Sequence, residues 1–342
     1  MAKPLAAEAH PTPMSTGNGH GQLPLEVLDA RFQDVIDLPP APRPPRRRPI
    51  WPALILFSLT LLSTLAVGAE FAQSYAHNIA PFSGDENPLT MMFLPLQQPR
   101  LLLLGIPFSV TLLGILLMHE LGHYFTCKFY GVDVSYPYFI PAPTLFGTFG
   151  AFLRIRSPIT TRRALFDIGI AGPIAGFVVA VPLMAYAIAT SKIVPGAQAD
   201  AGIIFGNPPL MRIFIAMFHP GTDPATLLLS PVGMAAWVGL FATALNLLPS
   251  WQLDGGHIIY SISPERHQRI SLLVAIILIG MGIYYWHGWG LWGIALMVLS
   301  FRFRHPPLFD RWTPLDASRK LWAIVALVIF LLCFTLIPAA TQ

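Results

Sequence analysis

The stretch LLMHELGHYF, residues 117–126, sets two imidazoles and a carboxylate in an otherwise apolar run. His119 and His123 are four residues apart, so on a helix they project from one face, one turn apart. There both can grip a single zinc ion. Glu120 follows the first histidine and can reach a water on the metal's open position. Its expected role is general base, taking a proton from that water and later delivering it to a leaving amine. A random match to this spacing is expected in roughly 0.5% of chains of this composition. Ionisable side chains within a membrane span are rare and costly, which weakens the chance reading further. The plainer alternative is a histidine pair satisfied by hydrogen bonds between helices.

Catalytic zinc usually takes three protein ligands and a water. The intramembrane acids are Asp167 and Asp254, and Asp254 lies in NLLPSWQLDGGH, residues 246–257. Gly255 and Gly256 are expected to allow a turn and a close backbone approach to the metal helix. Pro249 is expected to break the preceding helix. Asn246 has two readings that stay open here: a hydrogen bond to the substrate backbone or developing oxyanion, or a bond between helices. His257 is a weaker ligand candidate. Asp167 is the reserve third ligand.

These groups need elements to carry them. The chain has 342 residues, 54% hydrophobic and only 11% charged, with mean hydropathy +0.59. Soluble domains carry about 25% charged residues, so a polytopic membrane protein is expected. Seven apolar segments stand out: 50–71, 101–126, 163–190, 227–249, 269–286, 288–302 and 320–338. With a cytoplasmic N-terminus, this map places 18 of the 21 Lys and Arg inside and leaves Arg100, Lys192 and Arg212 outside. That is the asymmetry the positive-inside rule demands. The second and fourth spans then both run from outside to inside, which brings Asp254 to the depth of His119 and His123.

Residues 1–49 are rich in Pro and polar groups, show no apolar stretch before a cleavage site, and read as a flexible cytoplasmic tail. The organisation that follows is a first transmembrane helix and external loop over 50–100, a catalytic core over 101–262 and C-terminal transmembrane helices over 263–342. PPLMRIFIAMF, within 191–226, is amphipathic and suits the bilayer surface. Cys127 and Cys333 fall at different depths, so no disulfide is expected.

Between the second and third spans, Pro137, Pro141 and Pro143 exclude a regular helix. FGAFLRIRSP then alternates at a period of two, a strand pattern, and Gly147 and Gly150 permit a turn. A hairpin dipping toward the metal is expected, with an open edge for substrate. A helical substrate hides its carbonyls, and pairing with a strand edge replaces the bonds lost on unwinding. Gly150 is therefore placed with Asn246 among the substrate-binding residues. In GIAGPIAGF, Gly169, Gly172 and Gly176 share a face suited to close packing, and the metal helix is the expected neighbour.

HELGH (119–123), FDIGIAGPIAGF (166–177) and NLLPSWQLDGG (246–256), in this order, resemble the site-2 protease family of intramembrane zinc metalloproteases. The resemblance covers about residues 100–262. It implies that His119, His123 and Asp254 hold one zinc ion, that Glu120 is the catalytic acid/base, and that Asn246 lies on the substrate side. It also implies a re-entrant sheet or loop like the hairpin above, and regulated cleavage of transmembrane proteins. Neither the PDZ domain nor the CBS pair of some members is visible in this sequence.

The fold expected is all-α and polytopic, with six to seven transmembrane helices and a short re-entrant hairpin. The function expected is a zinc endopeptidase cutting transmembrane protein substrates near the cytoplasmic face, in a lipid bilayer and with no nucleic acid involved. A bacterial inner membrane is the expected location. The rival is a zinc transporter or sensor, which explains intramembrane His and Asp but leaves Glu120 without a task.

Overall fold

A computed structural model describes residues 49–82, 98–196, 203–303, 305–310 and 312–340. The expected tail, apart from Pro49, lies outside these residues. So does the part of the external loop at 83–97.

Leu54, Ile55, Leu59 and Leu62 face outward on α1 (Trp51–Ala76), while Thr60, Thr64, Ala66 and Gly68 face inward. In water such a surface would aggregate; in lipid it is the stable arrangement, with small and hydroxyl side chains turned to the protein. Thr64 Oγ1 and Ser109 Oγ share a 2.6 Å hydrogen bond that ties α1 to α2 (Ile106–Phe129). A short helical turn, Pro99–Leu102, leads into α2, and the apolar run from Pro99 to Phe129 is long enough to cross a bilayer.

After α2 come β1 (Tyr138–Pro141) and β2 (Thr148–Phe152), an antiparallel pair with Tyr138 opposite Phe152 and Phe139 opposite Ala151. The turn docks on α1, where Ser63 Oγ donates to Gly147 O at 2.6 Å. Gly147 has φ +75°, and a side chain there would strike the α1 backbone at Ser63. Helix α3 (Arg162–Ala189) starts at Thr161, whose side chain accepts from Ala164 N. Pro173 and Pro182 lie within it; neighbouring helices make such breaks tolerable in a membrane.

Two further short pairings close the far side. β3 (Lys192–Ile193) pairs with β5 (Leu227–Leu228), and β4 (Ile204–Phe205) with β6 (Ala339–Ala340). Between them α4 (Pro209–Phe218) buries Leu210, Met211 and Ile215 and turns Ile213 and Met217 outward.

Helix α5 (Pro231–Asn246) is followed by an irregular stretch and by α6 (Asp254–Ile262), α7 (Pro264–Tyr284), α8 (His287–Arg302) and α9 (Ala317–Cys333). The chain is thus an all-α polytopic membrane protein with only small strand pairs. Among the described residues, four helical runs are long and apolar enough to cross a bilayer: Trp51–Ala76, Pro99–Phe129, Arg162–Ala189 and Pro264–Tyr284. The fourth expected span is shorter than its sequence suggested: 16 helical residues rise roughly 24 Å, against about 30 Å of hydrocarbon. The backbone leaves the helix early because the chain must open before Asp254. The main core packs α2, α3 and α5 around Phe108, Leu112, Phe166, Met184 and Trp237. A second cluster around Leu278, Trp289 and Leu296 joins α7 to α8. Cys127 and Cys333 are both buried and free.

Candidate metal centre

His119, Glu120 and His123 lie in the second half of α2, and Asp254 is the first residue of α6. What brings Asp254 in is the irregular stretch after Asn246. Trp251 sits there at φ +50°, a conformation that costs an ordinary residue about 1–2 kcal/mol. Helix α7 holds it in place: Trp251 N donates to Ser271 Oγ at 3.1 Å, and His267 Nε2 donates to Trp251 O at 2.9 Å. Buried irregular backbone of this kind is stable at membrane depth only when the protein satisfies its polar groups.

The three donors converge. His119 Nε2 is 3.2 Å from Asp254 Oδ2, His123 Nε2 is 3.3 Å from Asp254 Oδ1, and the two Nε2 atoms are 3.2 Å apart. Metal–ligand bonds of about 2.0–2.1 Å in a tetrahedron put neighbouring donors roughly 3.3 Å apart, so the set fits one zinc-sized cation. The chemistry agrees. His123 Nδ1 is 2.7 Å from Ile168 O, and a carbonyl only accepts, so Nδ1 carries the proton. In the neutral ring Nε2 is then a lone pair aimed at a carboxylate and a second imidazole. Such an arrangement is repulsive without a positive charge between the donors, and orientation by a backbone carbonyl is how metal-binding histidines are commonly held.

Helix α3 forms the floor. A Cβ on Gly172 would lie 2.1 Å from His123 Nε2, so no larger residue fits without moving the ligand. Gly176 faces His119, whereas Gly169 faces His257 and Asp254 on α6 rather than α2. Gly255 and Gly256 also differ from expectation. They pack against the carbonyls of Leu247, Ser250 and Trp251, so they fold α6 onto its own preceding loop instead of onto the metal helix.

Glu120, only 5% exposed, and both histidines line a cleft of about 190 Å³, together with Asn246, Gln252 and Asp254. Asn246 Nδ2 is 3.3 Å from His119 Nε2. The hairpin supplies the opposite wall through Ala151, Phe152 and Leu153. Gly150, at φ +101°, is outside the lining and lies one residue before it. Its N–H bonds Thr148 Oγ1 at 2.9 Å, so it shapes the strand that forms the wall.

Asp167 is not near the donors. Its carboxylate accepts from Arg319 Nε at 2.8 Å and from Tyr130 Oη, a pairing that removes it as a ligand. Cys127, four residues beyond His123 and so one turn along the same face, also lines the cleft. Two features escaped the sequence reading. Gln252 lines the cleft from the irregular stretch. His305 meets His257 Nδ1 through Nε2 at 2.9 Å and stacks on Tyr260, with no local pattern to announce it. Burial, and next the neighbouring His257, push the His305 imidazole down to about 3.

The description "Peptidase family M50" matches residues 107–285, more than half of the 342, and that span holds every one of the donors, Glu120 and Asn246. This chain belongs to peptidase family M50, the site-2 protease family. The M50 match runs from the start of α2 to just past α7, so it includes the hairpin and the helix that pins Trp251. The chain is 30% identical over 296 residues to "Probable zinc metalloprotease EGY1, chloroplastic" of Arabidopsis thaliana, which covers 84% of this chain and 52% of that protein. It is 29% identical to the EGY1 protein of Oryza sativa subsp. japonica over 300 residues, 84% of this chain and 50% of the relative. With "Probable zinc metalloprotease EGY2, chloroplastic" of Arabidopsis thaliana it shares 28% over 240 residues, 67% and 41% of the two chains. The chain spans about half the length of these curated relatives. Their names place these relatives in the chloroplast, so the expectation of a bacterial inner membrane finds no support in them.

Proposed function

We propose that this chain is a zinc metalloendopeptidase that cuts transmembrane segments of other proteins within the bilayer, near the face rich in Lys and Arg. The observation that carries the reading is the meeting of three donors within 3.3 Å, from two separate segments, with Glu120 buried beside them. His119, His123 and Asp254 would hold one zinc ion per chain. Zinc held there supplies Lewis-acid chemistry, drawing electron density from a carbonyl oxygen and making water acidic enough to attack near neutral pH.

The chain's own residues do the rest. Glu120 accepts the proton of the attacking water and returns it to the leaving nitrogen. Asn246 offers its amide beside the same cleft and stabilises the oxygen on which charge develops. The wall at Ala151–Leu153 receives an unwound substrate as an added strand. Residues 101–262 form the catalytic core in this reading, with 50–100 and 263–342 as flanking membrane segments. Transport is less well supported. Among the described residues, His119, His123 and Asp254 are the one group of three or more His, Cys, Asp or Glu whose donors converge, and a transport path needs successive sites.

The test uses purified protein and a co-reconstituted single-span substrate. Glu120→Gln is expected to keep about one zinc per chain and lose cleavage by about 10²–10⁴-fold. Asp254→Ala is expected to lose both. Glu120→Gln with undiminished cleavage would overturn the proposal.

A further inference from the structure

Beyond the metal cleft lies a larger chamber, about 540 Å³ against about 190 Å³. The two share Phe152, Leu153, Ile155, Gln252 and His257 as walls, so a polypeptide passing from one to the other stays in contact with the protein. Arg154 and Arg156 line the chamber, and among the described residues no Asp or Glu does. Both arginines are exposed, and among the described residues neither enters an ion pair. Two other arginines at this end are occupied: Arg162 donates to Ser261 O and Ile262 O, and Arg319 to Asp167 and Asp316.

The backbone here is extended. Ser135 N donates to Arg154 O at 3.0 Å and Arg156 N to Asp133 O at 2.8 Å, with Val134 opposite Ile155. In an antiparallel ladder the alternate residue, Ile155, turns its N–H and C=O to the other edge. Two residues apart, Arg154 and Arg156 project from one face of the same segment.

We infer, resting on the protease reading above, that this chamber is a specificity subsite for acidic side chains in the substrate segment next to the scissile bond. A substrate lying as a strand along the free edge also repeats every two residues. Acidic residues at positions n and n+2 therefore match the two guanidinium groups. Membrane segments commonly carry Lys and Arg at the cytoplasmic flank. Two unpaired arginines repel that common flank and admit the uncommon one, which is selection by exclusion as well as by attraction. An anionic lipid headgroup shares the chemistry, but continuity with the cleft and the free strand edge favour a peptide.

The test uses the full chain with bound zinc in phosphatidylcholine vesicles and single-span substrates whose scissile bond is first mapped by mass spectrometry. The flank carries Glu-Ser-Glu, Gln-Ser-Gln or Lys-Ser-Lys. The acidic flank is expected to lower KM about tenfold relative to the neutral one, with kcat unchanged. Arg154→Glu combined with Arg156→Glu should reverse that order and leave the neutral substrate within about twofold. Binding of a fluorescent Glu-Ser-Glu peptide to the Glu120→Gln protein, which needs no turnover, should weaken about tenfold on the same double change. Equal KM for the three flanks in the unaltered chain overturns the subsite. So does an equal change for all three flanks, or an effect seen only in phosphatidylglycerol vesicles, which would assign the arginines to lipid. Binding preference without cleavage by the unaltered chain keeps the subsite and sinks the protease reading instead.

Discussion

Gly172 of α3 lies directly beneath His123 of α2: a methyl group on the glycine would stand 2.1 Å from Nε2 of the imidazole. The ring cannot swing away freely, because Nδ1 is held at 2.7 Å from Ile168 O. Helix packing and ligand geometry are therefore one constraint. Gly172→Ala is expected to weaken zinc affinity by about 10–100-fold, the range seen when a ligand's support is disturbed. Gly114→Ala, where a Cβ meets nothing within 4 Å, should leave zinc content unchanged. Metal analysis of both variants after dialysis against a weak chelator checks this.

Asn246 separates two roles by kinetics. Acting on the developing oxyanion, its loss in Asn246→Ala should cut kcat by about 10²–10³-fold with zinc retained. A side chain serving only to join α5 to α2 would instead lower the thermal midpoint and leave kcat nearly intact. Steady-state rates measured beside thermal unfolding in detergent distinguish the outcomes.

Gly150 tests the hairpin. Proline fixes φ near −65° and lacks the N–H, whereas Gly150 has φ +101° and uses its N–H on Thr148. Gly150→Pro is expected to disrupt β2, keep zinc and abolish cleavage. Full cleavage by that variant would remove the hairpin from the substrate path.

His305 gives a pH dependence. Its folded pKa lies near 3, and an unfolded histidine titrates near 6.5, so the unfolded chain binds the extra proton between those values. Stability from this residue is complete above about pH 6.5 and falls as the pH drops toward 3. The thermal midpoint of the unaltered protein should decline over that window more steeply than that of His305→Gln. Parallel curves for the two would refute the assignment.

Much of the site was legible in the linear chain. The i, i+4 spacing of His119 and His123 fixes one helix face, because a helical turn is 3.6 residues wherever it occurs. The Lys and Arg asymmetry led to the expectation that Asp254 arrives level with the histidines, and its carboxylate does lie within 3.3 Å of both Nε2 atoms. Period-two alternation through residues 149–156 and the prolines before it announced the hairpin.

Packing decided what distance along the chain conceals. Asp167 and Asp254 are alike in type and both lie near helix starts, yet Arg319, 152 residues away, captures the first and leaves the second to the histidines. His305 meets His257 across 48 residues, and the chamber lined by Arg154 and Arg156 exists because the segment after α8 folds over the extended chain. The sequence by itself determined most of the helices and the shared face of the two histidines, since periodicity is a local property of the backbone. Only the tertiary structure decided which of several equivalent partners meet, because that depends on the angles and close approaches of helices at residues such as Gly172.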